Sequence, residues 1–199
     1  MKQMVLNYCL GTIKSNRTDI DEIKLDEIRY GLEAIYMMIT KTIVIFTLAF
    51  ILNIFKEMFL LLLFFNILRT TGFGLHASKS WICLLSSGLT FIFLPFISKL
   101  ISFPILIKSI LGIVAIILVF IYAPADTTKK PIINKNRRLI YKSLTTISCI
   151  ILTLLSIIIK DNTISNLIIF GVYTEVVLIL PVTYKIFGLS YNNYLKYVN

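Results

Sequence analysis

Histidine is almost missing from this chain: His76 is the only one in 199 residues. No metal centre is expected, since one His with widely separated Cys and carboxylates gives no ligand cluster of familiar spacing. Cysteine is scarce as well. Cys9, Cys83 and Cys149 are odd in number, far apart and without a CxxC pair, so no disulfide framework is expected. Acidic residues number 10 against 20 Lys and Arg. Polar stretches long enough to coat a soluble domain are also lacking. Hydrophobic residues make up 57% of the chain and mean hydropathy is +0.87, against about 45–50% apolar residues in an ordinary soluble domain. These absences exclude a water-soluble globular protein and call for neither metal nor other cofactor.

What is present is a succession of apolar runs. A hydrocarbon core about 30 Å thick takes roughly 20 apolar residues per helix. Runs near that length fall at about Ala34–Phe55, Trp81–Ile97, Ile105–Tyr122, Leu139–Ile159 and Ile164–Phe187, with a shorter one at Met58–Leu68. The expected fold is therefore all-α: a polytopic transmembrane bundle of about six apolar segments, forming one domain over 1–199. Residues 1–33 make an amphipathic charged N-terminal region, 34–187 the membrane bundle and 188–199 a tail. Asp19, Asp21, Glu22, Asp26 and Glu27 lie in the first 30 residues with no apolar run before a cleavage site, so this start does not read as a secretory signal.

In a soluble protein the net charge of +10 would point to nucleic acid, but here the cations gather in loops between apolar runs, where they set topology. Lys129, Lys130, Lys135, Arg137 and Arg138 all fall in residues 123–138. With the N-terminus inside, 69–80, 123–138 and 188–199 share one side, and the positive-inside rule makes both termini cytoplasmic. The expected partner is thus the lipid bilayer and not nucleic acid. Trp81, Tyr122 and Tyr184, near span ends, read as interfacial anchors. Matched Gly/Pro breaks in the two halves are lacking, which weighs against a transporter built from inverted repeats.

Residues 69–80 interrupt the apolar pattern with Gly72, Gly74 and basic side chains, so a continuous lipid-facing helix is not expected there. The break carries His76, seven residues before Cys83. A thiol with an ordinary pKa near 8.5 needs a base, a cation or a helix N-terminus to become a nucleophile. His76 can serve as base, Arg69 and Lys79 add positive potential, and Ser78 or Ser80 can cap a helix whose first turn approaches Cys83. On a straight helix the two residues would stand roughly 10.5 Å apart along the axis, so a dyad requires a bend, which Gly72 and Gly74 permit. Taken alone, a packed thiol and a loop histidine account for the pair more simply. Cys9 and Cys149 have no such neighbours and read as an interfacial thiol and a packed small residue. Glu175, near the middle of the last run, needs a partner such as Lys41 or Lys108, or a contact with substrate.

Arg69, Gly74, His76 and Cys83 at their spacing, followed after one more span by Tyr122-Ala-Pro-Ala-Asp126-Thr-Thr-Lys129-Lys130-Pro131, closely resemble the accessory gene regulator B (AgrB) family. The likeness extends over nearly the whole chain. It implies a cysteine endopeptidase of the bacterial cell membrane that removes the C-terminal tail of a short quorum-sensing propeptide, AgrD. An acyl-thioester then allows cyclisation to a thiolactone or lactone autoinducing peptide. Carried over by position, the catalytic residues are His76 and Cys83, with Arg69 and Gly74 in the surrounding motif. Asp126 is a candidate to orient His76, although a capping or ion-pairing role is the simpler reading. The resemblance also implies that Lys129 and Lys130 hold the acidic tail of the propeptide, and that the protein is a homodimer. The competing reading is a small noncatalytic membrane transporter or a propeptide-recruiting subunit.

Overall fold

The computed structural model describes residues 2–16, 21–75, 80–127 and 131–197. Among these, every extended element is helical, and β structure is limited to isolated bridges such as that between Phe73 and Ala125. The chain divides into two compact units, Met1–Leu48 and Ala49–Asn199. The first holds α1 (Lys2–Asn16) and all but the last turn of α2 (Glu22–Ile51).

The second unit contains α3 (Phe55–Gly72), α4 (Ser80–Gly88), a π-helical turn (Leu89–Phe93), α5 (Leu94–Leu100), α6 (Ile105–Tyr122), α7 (Lys135–Ile158), α8 (Asn162–Ile179), α9 (Pro181–Ile186) and a 3₁₀ turn (Asn193–Tyr197). Side-chain caps start two of the long helices. Asn134 accepts from the N–H groups of Asn136 and Arg137 at 2.9 and 3.1 Å, and Asp161 accepts from that of Ile164 at 3.0 Å. Each satisfies donors that a helix start leaves without intrahelical partners.

Among the described residues, four helices are long and apolar enough to cross a membrane: Lys24–Ile51, Ile105–Tyr122, Lys135–Ile158 and Asn162–Ile179. In α6, Leu106 is 70% exposed and Phe120 57%. Apolar surface of this kind, repeated along the bundle, is what a lipid-facing wall presents and a soluble monomer avoids. The other two expected segments are helical but differ in character. Helix α3 has 18 residues and carries Lys56, Glu57 and Arg69, while Leu84–Leu100 is a shorter apolar helix. At the centre stands α8, ten of whose 18 residues are buried, against four of 18 in α6 and five of 24 in α7.

Several boundaries depart from the sequence-based expectation, among them α7, which starts at Lys135, four residues ahead of the apolar run. The first turn comes at Leu52–Ile54, ahead of Lys56, because Asn53 takes a left-handed conformation (φ 53°) that short amide side chains tolerate. Helix α3 continues past Leu68 to Gly72, which makes it about 27 Å long at 1.5 Å per residue. The last run is split at Leu180, in extended conformation (φ −68°, ψ 137°), because Pro181 has no N–H to continue α8 and instead starts α9.

Candidate active site

Three segments distant in sequence are joined at one end of the second unit. Gly74 donates its N–H to the carbonyl of Ala125 at 2.8 Å, and Ala125 donates to that of Gly72 at 3.0 Å. Leu75 donates to the carbonyl of Leu178 at 3.1 Å. The chain leaving α3 is thus laid between the Ala123–Asp126 segment and the end of α8, and the next residue is His76.

Arg69 holds this exit from within. Its guanidinium donates to the carbonyls of Phe73 and Leu75, the latter at 2.8 Å, and stands 3.6 Å from the carboxylate of Glu175. Glu175 is fully buried, and among the described residues neither of its oxygens accepts a hydrogen bond. Its ionic partner is therefore Arg69, in place of the expected Lys41 or Lys108. Lys108 is itself buried and donates to Asn162 Oδ1 at 3.4 Å. Sequence reading missed the pair because Arg69 and Glu175 lie on different helices, with no spacing to connect them.

Gly74 has φ +86°, and a Cβ placed there would lie 2.5 Å from Arg69 Nη1 and 2.8 Å from the carbonyl oxygen of Leu178. Both conformation and space demand glycine. Gly74→Ala is expected to destabilise the protein by about 1–3 kcal/mol, read as a lower thermal midpoint of detergent-solubilised protein. An unchanged midpoint would contradict this packing.

Asp126, 1% exposed, is bound on several sides. Oδ1 accepts from the N–H of Asn193 at 3.0 Å, and Oδ2 from those of Tyr194 at 2.8 Å and Ile132 at 3.4 Å. Arg138 Nη1 is 4.0 Å from Oδ2. The carboxylate caps the 3₁₀ turn and ties the C-terminal segment to the Ala123–Asp126 loop. Tyr184, expected at an interface, is instead 1% exposed and donates its hydroxyl to the carbonyls of Asp126 and Ala125 at 3.0 and 3.3 Å. A tyrosine near a span end has one polar tip to satisfy, and here backbone carbonyls take it where headgroups were expected. Tyr191 donates to the carbonyl of Tyr122 at 3.2 Å. Burial pushes its phenol up to about 12, against the opposing pull of Arg138, so it remains a neutral donor. Tyr184, Tyr191 and Asn193 carried no motif that could have marked them.

His76, Lys129 and Lys130, predicted as site residues, lie outside the described residues, as does the side chain of Cys83. Cys83 belongs by backbone to the first turns of α4. Of the two remaining cysteines, Cys149 is fully buried and Cys9 partly exposed. Among the described residues no group of His, Cys, Asp and Glu is placed to hold a metal ion.

Among the described residues, four long apolar helices fit a multi-span membrane protein. The family profile described as Accessory gene regulator B matches residues 6–179. A putative AgrB-like protein of Clostridium acetobutylicum is 32% identical over 178 residues, covering 89% of this chain and 85% of the relative. Another from Listeria monocytogenes serotype 4a is 33% identical over 187 residues, covering 93% and 91%. Accessory gene regulator protein B of Staphylococcus aureus strain Newman is 32% identical over 174 residues, covering 86% and 90%. No solved structure matches. The chain belongs to the accessory gene regulator B family.

Proposed function

We propose that the chain is a membrane cysteine endopeptidase that cuts an AgrD-like propeptide at the cytoplasmic face of the bacterial cell membrane. The observation that carries this reading is the way Arg69 and Gly74 lock Phe73–Leu75, the residues that lead directly into His76. So much fixed backbone ahead of one histidine suits a residue that must be aimed. Cys83 follows in the first turns of α4, where the N-terminal end of a helix favours thiolate over thiol.

In this mechanism the Cys83 thiol gives its proton to His76, and the sulfur attacks the scissile carbonyl. The C–N bond breaks as His76 returns that proton to the leaving amine, and an acyl-thioester remains on Cys83. The propeptide's internal Cys or Ser then attacks the thioester. That closes a thiolactone or lactone and regenerates the Cys83 thiol; water in its place would give a linear acid, so exclusion of water favours the ring.

Asp126 acts as a positioning residue, because the loop it anchors to Asn193 and Tyr194 is the one on which Gly72–Gly74 rests. Lys129 and Lys130 hold the acidic tail, an attraction that added salt weakens. A homodimer with both termini in the cytoplasm completes the proposal. The test is co-expression with a tagged AgrD-like propeptide, followed by mass spectrometry of its fragments. Cleavage that proceeds undiminished without Cys83 or His76 would leave a recruiting or transport role in its place.

A further inference from the structure

Beside the Ala123–Asp126 loop lies a cavity of about 600 Å³, bounded by the start of α7, the end of α6 and the C-terminal segment. Lys135, Arg138 and Lys142 line it. Their spacing places them on one face of α7, over roughly 10 Å of its axis. Arg138 is held in place, its guanidinium 3.5 Å over the ring of Tyr194 and 4.0 Å from Asp126. Its Nη1 is buried and has no hydrogen-bond partner among the described residues. Asp126 pairs with Arg138, and the Lys142 ammonium lies 4.4 Å over the ring of Phe120, so three cations against one carboxylate leave the cavity with excess positive charge.

The same cavity opens onto apolar surface. Leu139, which lines it, is 65% exposed, and Ile121 is 57% exposed. Helix α7 has 24 residues, about 36 Å, so its first turns extend past a hydrocarbon core of about 30 Å into the headgroup layer. Topology alone accounts for cations at this depth but not for their convergence on a cavity beside an immobilised guanidinium. A phosphate with acyl chains attached meets both features at once: its oxygens accept from Arg138 and the lysines, and its chains lie along Leu139 and Ile121. We propose that this cavity binds the phosphate of an anionic phospholipid from the adjoining leaflet. An acidic peptide would use the charge but leave the apolar rim unused.

The test is native mass spectrometry of the purified full-length protein in mild detergent with dioleoyl phosphatidylglycerol or dioleoyl phosphatidylcholine. The expected result is at least fivefold greater retention of phosphatidylglycerol. That preference is lost in K135Q/K142Q, kept in K135R/K142R, and unchanged in K160Q, in the turn beyond the far end of α7. Lys135 is exposed and Lys142 half-buried, so neither exchange removes core packing. R138Q, checked for an unchanged thermal midpoint, loses the preference as well. Equal retention of the two lipids, or a preference that survives K135Q/K142Q, overturns the proposal. Complete displacement by millimolar inorganic phosphate assigns a free-anion site instead, and preferential retention of hexaglutamate assigns an acidic-peptide site; either result also overturns it.

Discussion

Cys83→Ala is expected to lower the rate of tail release from an AgrD-like propeptide by at least about a thousandfold, because the proposed covalent intermediate forms on its thiol. His76→Ala is expected to cost about a hundred- to ten-thousandfold, the usual worth of a positioned acid–base group. A time course of propeptide fragments by mass spectrometry, with each variant matched for membrane abundance, reads both. The two losses should not add: with the nucleophile gone, the base has no proton to accept, so the double variant should be no worse than Cys83→Ala. Binding of the propeptide should survive in all three variants. This pattern separates chemistry from recruitment, since a subunit that only recruits has no reason to distinguish a thiol from a methyl group.

The second large effect is on stability. Arg69→Met leaves Glu175 buried and without its cation, and breaking a buried pair by removing one partner costs about 3–5 kcal/mol. The thermal midpoint of the solubilised protein should fall steeply. In R69M/E175M no unpaired charge remains, and much of that stability should return, because apolar side chains of similar volume replace a buried ion pair at little cost. Cleavage should not return with it. The carbonyls of Phe73 and Leu75 still lack the donors that Arg69 supplied, and the approach to His76 stays loose. A double variant that recovers both fold and cleavage would reduce Arg69 to an ionic partner of Glu175.

The membrane plan was legible because it follows from composition and run length. Apolar runs of about one bilayer thickness give helices whatever their neighbours are, yet of the six expected segments four are, among the described residues, long and apolar enough to cross; Gly72–Leu75, Ala123–Asp126 and Asn193–Tyr194 lie against one another. Local punctuation was harder to read. Pro181 ends α8 inside what looked like one span, and Asn53 sets a turn that charge alone would place at Lys56. Within the site, Arg69 and Gly74 were marked by motif, yet their physical roles became visible only with Glu175 and Leu178 beside them. Pairing across helices leaves no periodicity in a sequence. The same holds for Tyr184, whose hydroxyl finds two carbonyls of a loop nearly sixty residues away.

The most direct measurement is the intact mass of purified full-length protein mixed with an AgrD-like propeptide and quenched in acid. The account predicts a covalent adduct equal to the propeptide without its tail. It should be removed by hydroxylamine as a thioester is, mapped to Cys83 by peptide sequencing and absent from Cys83→Ala. Tail release with no adduct at any quench time, or an adduct carried by Cys9 or Cys149, would contradict it.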